Sequence, residues 1–207
     1  RSGIKSLADL KGKRLGVAGG PVDKSWLLLR AYGHKQLGVD LADVVEVSYV
    51  APPLLNKLLM RDELDAGLNF WHYAARLRAG GARDVVTVSS ILPALGVATN
   101  MPLLGWVFDA AWADSHPRAV SAFLKASFAA KQILDTQDAE WDRLKPRTKA
   151  ANVETLAALR DAYRLGIPRR YDDKSIASAV SAYKLMAQLG GRKLTGGVKT
   201  PDPKVFW

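Results

Sequence analysis

A short strand pattern, Arg14–Ala18, empties through Gly19-Gly20-Pro21 directly into a helical pattern, and this junction constrains the fold more than any other stretch. A strand that runs into a helix with no long loop between them forms the first half of a βαβ unit. It also brings the backbone N–H groups of a helix N-terminus, with the positive end of the helix dipole, to the edge of a sheet. Such a point can hold the electron-rich end of a small molecule. Pro21 suits the first helical turn and Asp23 is a capping residue, so the loop reads equally as a tight structural turn. It matches neither GxxxxGK[ST] nor the dinucleotide fingerprint, whose third glycine is missing. Gly19, Gly20, Pro21, Asp23 and Ser25 are the candidate ligand contacts here.

The alternation continues. Val22–Gln36 is expected to be a helix ending near Gly33 and Gly38, and Val44–Val50 a strand with Val45, Val47 and Tyr49 alternating. Pro52-Pro53 opens a helix whose apolar face is Leu54, Leu55, Leu58 and Leu59. Leu64–Leu68 is expected as a strand, Trp71–Ala79 as a helix closed by Gly80-Gly81, and Val85–Val88 as another strand. Parallel units with right-handed crossovers place every strand-to-helix loop on one edge of the sheet. After residue 103 the pattern turns helical. Leu104–Phe108 is expected as a strand, followed by a long helix from His116-Pro117, then helices over Ala139–Leu144, Val153–Leu165 and Asp173–Leu189, the last ended by Gly190-Gly191. The fold class is α/β, a parallel-sheet part followed by a helical half.

Two further stretches could line a pocket. Asn69-Phe70-Trp71-His72-Tyr73 follows the Leu64–Leu68 strand and so belongs to the same sheet edge as the glycine loop. Phe70 and Trp71 are candidate walls for an apolar or cationic group. Asn100–Trp106 lies where the α/β part gives way to the helical half, and Met101 and Trp106 are candidates for a hinge and cleft floor.

Composition narrows the function. There is no Cys, which excludes disulfides, thiolate nucleophiles and Cys-ligated metals. No apolar run is long enough for a membrane span. The chain has no H-E-x-x-H, G-x-S-x-G or EF-hand loop, and its three His are far apart, so neither a metal nor a cofactor is expected. The Asp62-Glu63-Asp65 cluster reads as an acidic turn. Net charge is +10, and residues 142–207 carry fourteen Lys/Arg against six Asp/Glu, a net of +8. A basic C-terminal face could dock a protein partner. Scattered basic residues without an aromatic platform do not suggest nucleic acid.

Leu7-Ala-Asp-Leu-Lys-Gly-Lys-Arg-Leu-Gly-Val17 resembles the L-x-D-L-K-G-K-x-[IV]-[GA]-V segment of the periplasmic solute-binding proteins for nitrate, taurine, alkanesulfonates and thiamine precursors. Pro52–Ala66 resembles that family's helix followed by G-x-[VL]-D-A, with Asp62 where Gly is usual. Gly105–Phe108 with His116–Leu124 resembles its return strand and following helix. The resemblance covers most of residues 5–135. It implies a type II periplasmic-binding-protein-like fold, with one lobe at 13–102 and the other at 1–12 plus 103–207. It also implies a periplasmic, non-catalytic component of an ABC importer, with a permease as partner and a small organic, anionic solute held between two lobes. The family carries about two further strand-helix units before the D-L-K-G-K segment, so a trimmed version of a longer protein is expected. The alternatives are an accessory protein of a periplasmic dehydrogenase on the same fold, and an enzyme of the thiamine-precursor synthase type. The Cys-rich motif of that synthase is absent here.

Overall fold

The computed structural model describes residues 3–98, 101, 103–202 and 205–206. The chain divides into two compact units, residues 1–102 with 170–207 and residues 103–169.

The first unit is built on β1 (Arg14–Val17), α1 (Lys24–Leu37), α2 (Leu41–Val44), β2 (Glu46–Tyr49), α3 (Pro52–Met60), β3 (Ala66–Leu68), α4 (Trp71–Ala79) and α5 (Val88–Ile91). The three strands form a parallel sheet in the order β2-β1-β3. Parallel strands need crossovers, and α1 with α2, then α3, supply them. β1 is central and its Leu15 and Val17 are buried. Gly16 pairs with Gly67 across β1 and β3. A Cβ on Gly16 would stand 2.6 Å from Leu64 Cδ1 and 3.1 Å from Leu55 Cγ, and a Cβ on Gly67 2.6 Å from Leu55 Cδ2. Two facing glycines thus leave a depression in the sheet, and Leu55 of α3 fills it and is fully buried.

The register of β3 is fixed at its start. Asp65 accepts from the Arg14 backbone N–H (2.9 Å) and from its Nε (3.0 Å), and Arg14 Nη2 reaches Asp65 Oδ1 (2.9 Å). The Arg14 guanidinium, and then its backbone N–H, pull the Asp65 carboxyl down to about 2. A lowered carboxyl stabilises the fold above the ordinary value and loses that effect as pH falls through the folded one. Stability should therefore decline between about pH 4 and pH 2, and Asp65→Asn should flatten that part of an acid-unfolding curve followed by circular dichroism. Asp65 of the acidic turn is thus a structural clasp, a role its sequence did not reveal. Asp62 stands in the left-handed region at φ 56°, which explains why glycine is usual there. Asp62→Gly is expected to raise stability, by about 0.5–1 kcal/mol, read as a higher Tm.

The second unit comprises α6 (Ala110–Ser115), α7 (Pro117–Thr136), α8 (Asp138–Thr148) and α9 (Val153–Leu165). Trp141 is buried there, donates to Leu134 O (2.8 Å) and meets the Tyr163 ring edge-on at 5.4 Å. α10 (Asp173–Thr195) returns to the first unit and packs on α1.

Most expected elements form, several with shifted ends. Two strands do not. Val85–Val88 gives way to α5, because Thr87 Oγ1 accepts from Ser90 N and Ser90 Oγ from Thr87 N, a capping box that starts a helix. Leu104–Phe108 carries no strand pairing among the described residues. Asp109 instead caps α6 by accepting from Trp112 N at 2.8 Å. α10 runs past Gly190-Gly191, but Gly191 has φ 52° and ψ −150°, so two helices abut where one was expected to end.

In the first unit, described residues within 3–12 and 170–206 group with those within 13–101. The reason lies in α1, where four consecutive residues, Trp26–Leu29, are buried and need cover on several sides. α10 gives part of it at Gly190, where a Cβ would stand 3.1 Å from Leu27 Cδ1. The basic C-terminal third is likewise shared between the two units. Arg143 pairs with Glu140, Arg160 with Asp138 and Asp161, Arg164 with Asp138, and Arg169 with Asp135.

Candidate functional site

The C-terminal ends of β1 and β3 open side by side. Ala18 N donates to Leu68 O at 2.9 Å, and Val50 N to Val17 O at 3.0 Å. The strand exits therefore lie about one strand spacing, about 4.8 Å, apart. This brings the Gly19–Asp23 loop next to Asn69-Phe70-Trp71, as parallel topology predicts.

At the β1 exit, Gly19 and Gly20 have φ of 87° and 86°, which a side chain would oppose. Gly19 must also stay bare for space: a Cβ there would be 2.7 Å from Asp23 Oδ2. Asp23 Oδ1 accepts from Ser25 N (2.9 Å) and Trp26 N (3.1 Å). Two N–H groups of the helix N-terminus are thus taken by the chain's own carboxylate, the capping role that the sequence also allowed. Burial pushes the Asp23 carboxyl up, against the opposing pull of those two N–H groups. Asp23→Ala should cost about 0.5–2 kcal/mol through the lost cap, measured by urea unfolding.

At the β3 exit, side-chain amides hold the loop. Asn69 Nδ2 donates to Pro52 O (3.0 Å) and Asn56 Oδ1 (2.9 Å), Asn69 Oδ1 accepts from Phe70 N (2.8 Å), and Asn56 Nδ2 donates to Tyr73 O (3.0 Å). The aromatic turn is fastened to both ends of its neighbourhood, yet Phe70 and Trp71 remain 40% and 45% exposed. Trp71 meets His72 edge-on at 5.4 Å, and His72 lies 4.5 Å from the Tyr73 ring. Burial, and secondly Arg76, lower the His72 imidazole, which favours its neutral form. Tyr49, which pairs with Val17, adds a half-exposed ring at the β2 end of the same edge.

Of the expected contacts, Gly19, Gly20, Pro21, Asp23, Ser25, Phe70 and Trp71 come together on this edge. Met101 is buried, 7% exposed, and its N–H donates to Ala98 O. Trp106 belongs to the second unit, where its indole N–H donates to Ser127 Oγ at 3.1 Å and its ring meets Phe123 edge-on at 5.1 Å. Asn100 and Pro102 lie outside the described residues. Sequence reasoning missed Asn56 as the clamp of the aromatic turn. Its one signal was a polar residue set in sequence between the leucines of α3.

Residues 1–137 match a family described as NMT1/THI5 like. The chain belongs to the NMT1/THI5-like family. The match takes in the D-L-K-G-K segment, the three-stranded sheet and both loops of the candidate site, and it ends within one residue of the last α7 position. The stretch over which the resemblance was read, 5–135, lies inside it. Membership supports a role in binding a small solute, or a function related to it. A search among curated proteins gave no match. Among the described residues no helix is long and apolar enough to cross a membrane.

Proposed function

We propose that this chain is the solute-capturing component of an ABC importer, acting in the periplasm, and that its solute seats on the C-terminal rim of the β2-β1-β3 sheet. One observation carries the reading: two independent loops, the paired glycines after β1 and the exposed aromatics after β3, open side by side on one edge. Gly20 supports it, because a Cβ there would meet nothing within 4 Å, so the backbone is open to close approach. Trp71 and Phe70 supply flat apolar area at little entropic cost, which suits an organic solute better than a small inorganic ion.

The β1 exit does not favour the negative charge expected of the solute. Asp23 already takes two N–H groups of the first helical turn, and its carboxylate would repel a second anion brought to the same point. A neutral or cationic organic solute fits the rim better. Capture works by differential affinity: the solute stabilises whichever conformation contacts it best, and the permease recognises that conformation. The role is binding without chemistry, so solute recovered after incubation should be unchanged by mass spectrometry.

A thermal-shift screen over amines, pyrimidines, carboxylates and sulfonates tests the reading. A solute present at about 100 times its Kd should add about 2.7 kcal/mol of stability. If none of these classes moves the Tm, the capture role is rejected.

A further inference from the structure

α4 carries Trp71 on its first turn, yet little of the helix itself is anchored. Ala75 is its one buried residue, and Phe70 at the N-cap makes no side-chain capping bond. A helix start with so few buried contacts opens easily unless something else fixes it. Two side-chain amides do so. Asn56 of α3 donates through Nδ2 to Tyr73 O (3.0 Å) and accepts through Oδ1 from Asn69 Nδ2 (2.9 Å). Asn69 Nδ2 also donates to Pro52 O (3.0 Å), and Asn69 Oδ1 accepts from Phe70 N (2.8 Å). The chain of contacts runs from α3 through Asn56 and Asn69 to the backbone on both sides of Trp71. Its far end is firm, because Leu55, next to Asn56, is fully buried against the sheet.

The chemistry required at position 56 is narrow. A short side chain must offer one donor and one acceptor together. An aspartate carboxylate has no donor, and leucine has neither group. With either in place the Tyr73 carbonyl loses its amide donor. With leucine, Asn69 also loses the acceptor that orients its amide toward Phe70 N.

We propose that Asn56 is the positioning residue of the solute rim: without touching solute, it holds Phe70 and Trp71 where a solute meets them. This role presupposes the capture role proposed above. It acts through preorganisation. A turn that spends only part of its time in the binding-competent arrangement loses apparent affinity by that fraction, and ordering the turn during binding costs affinity in the same way. Asn56 keeps the competent fraction high before solute arrives. At the β1 exit the corresponding hold, Asp23, belongs to the loop it fastens. At the β3 exit the hold comes from a different helix.

The test compares the whole chain as wild type, Asn56→Leu, Asn56→Asp and Asp65→Asn. Each is titrated calorimetrically with phenethylamine, or with the screened solute that raises the wild-type Tm most if that amine does not bind. Circular dichroism sets a temperature at which every variant is folded, so a change in Kd does not report unfolding. Asn56→Leu is expected to bind about tenfold more weakly, and Asn56→Asp, which keeps the acceptor for Asn69, more weakly than wild type by a smaller factor. Asp65→Asn opens the clasp at the other end of β3. It should lower stability and leave Kd unchanged. Should Asn56→Leu fail to fold, Asn56→Asp carries the comparison. Wild-type affinity in the Asn56 variants that fold overturns the positioning role while leaving capture intact. An equal loss of affinity in Asp65→Asn also overturns it, since Asn56 would then act only through general stability. A wild type that binds neither phenethylamine nor any screened solute rejects capture, and the positioning role falls with it.

Discussion

Leu55→Ala is expected to destabilise the first unit by about 2–5 kcal/mol, the range for a large buried aliphatic whose cavity collapses poorly. Leu55 is fully buried and clusters with Ala18 and Leu64, with Val50, Leu58 and Leu59 packed around them. Its side chain occupies the depression that Gly16 and Gly67 leave, and the floor of that depression is sheet backbone, which cannot move in to fill a void. Gly67→Ala attacks the same contact from the other side. Its Cβ would stand 2.6 Å from Leu55 and 2.7 Å from Leu59, an overpacking expected to cost about 1–3 kcal/mol. The double variant should lose less than the two single losses together, since both act on one contact. Urea unfolding of the four proteins checks this. A loss under about 1 kcal/mol for Leu55→Ala, or strict additivity, would show that α3 does not seat on the glycine pair.

Trp71→Ala is expected to weaken solute binding about tenfold to a hundredfold, equal to about 1.4–2.7 kcal/mol, while leaving the urea midpoint nearly unchanged. The asymmetry follows from its surroundings. Trp71 is 45% exposed on the first turn of α4, whose backbone neighbour Asn69 is held by side-chain amides that do not involve the indole. Losing the ring removes accessible apolar surface, which costs binding, and leaves no buried cavity, so it costs little stability. Isothermal titration with a solute that raises the Tm measures the first effect and unfolding the second. Equal losses in both would make Trp71 a packing residue.

The parallel βαβ pattern was legible because each signal was local. Pro52-Pro53 opens α3, Gly38 closes α1 in the left-handed conformation, and Val153–Leu165 forms as its periodicity implies. The shared sheet edge followed from topology alone. What failed depended on partners. Leu104–Phe108 has the composition of a strand, but a strand exists only where another pairs with it. Val85–Val88 is a β-branched run overridden by the Thr87–Ser90 capping box. The packing of α10 on α1 was hidden because a helix's apolar face does not name the face it meets. At the site, the strand-to-helix turn with its two glycines was legible from the sequence, whereas the charge it favours was not. Asp23 was visible as a cap, and the consequence, that the cap already occupies the donors offered to an anion, needed the hydrogen bonds themselves.

The most direct test of the solute rim is a map of backbone amide shifts on adding a solute that raises the Tm. If the rim binds it, the largest changes fall together at residues 19–25 and 69–73, the exits of β1 and β3. Changes confined to other parts of the chain, with these two loops silent, would contradict it.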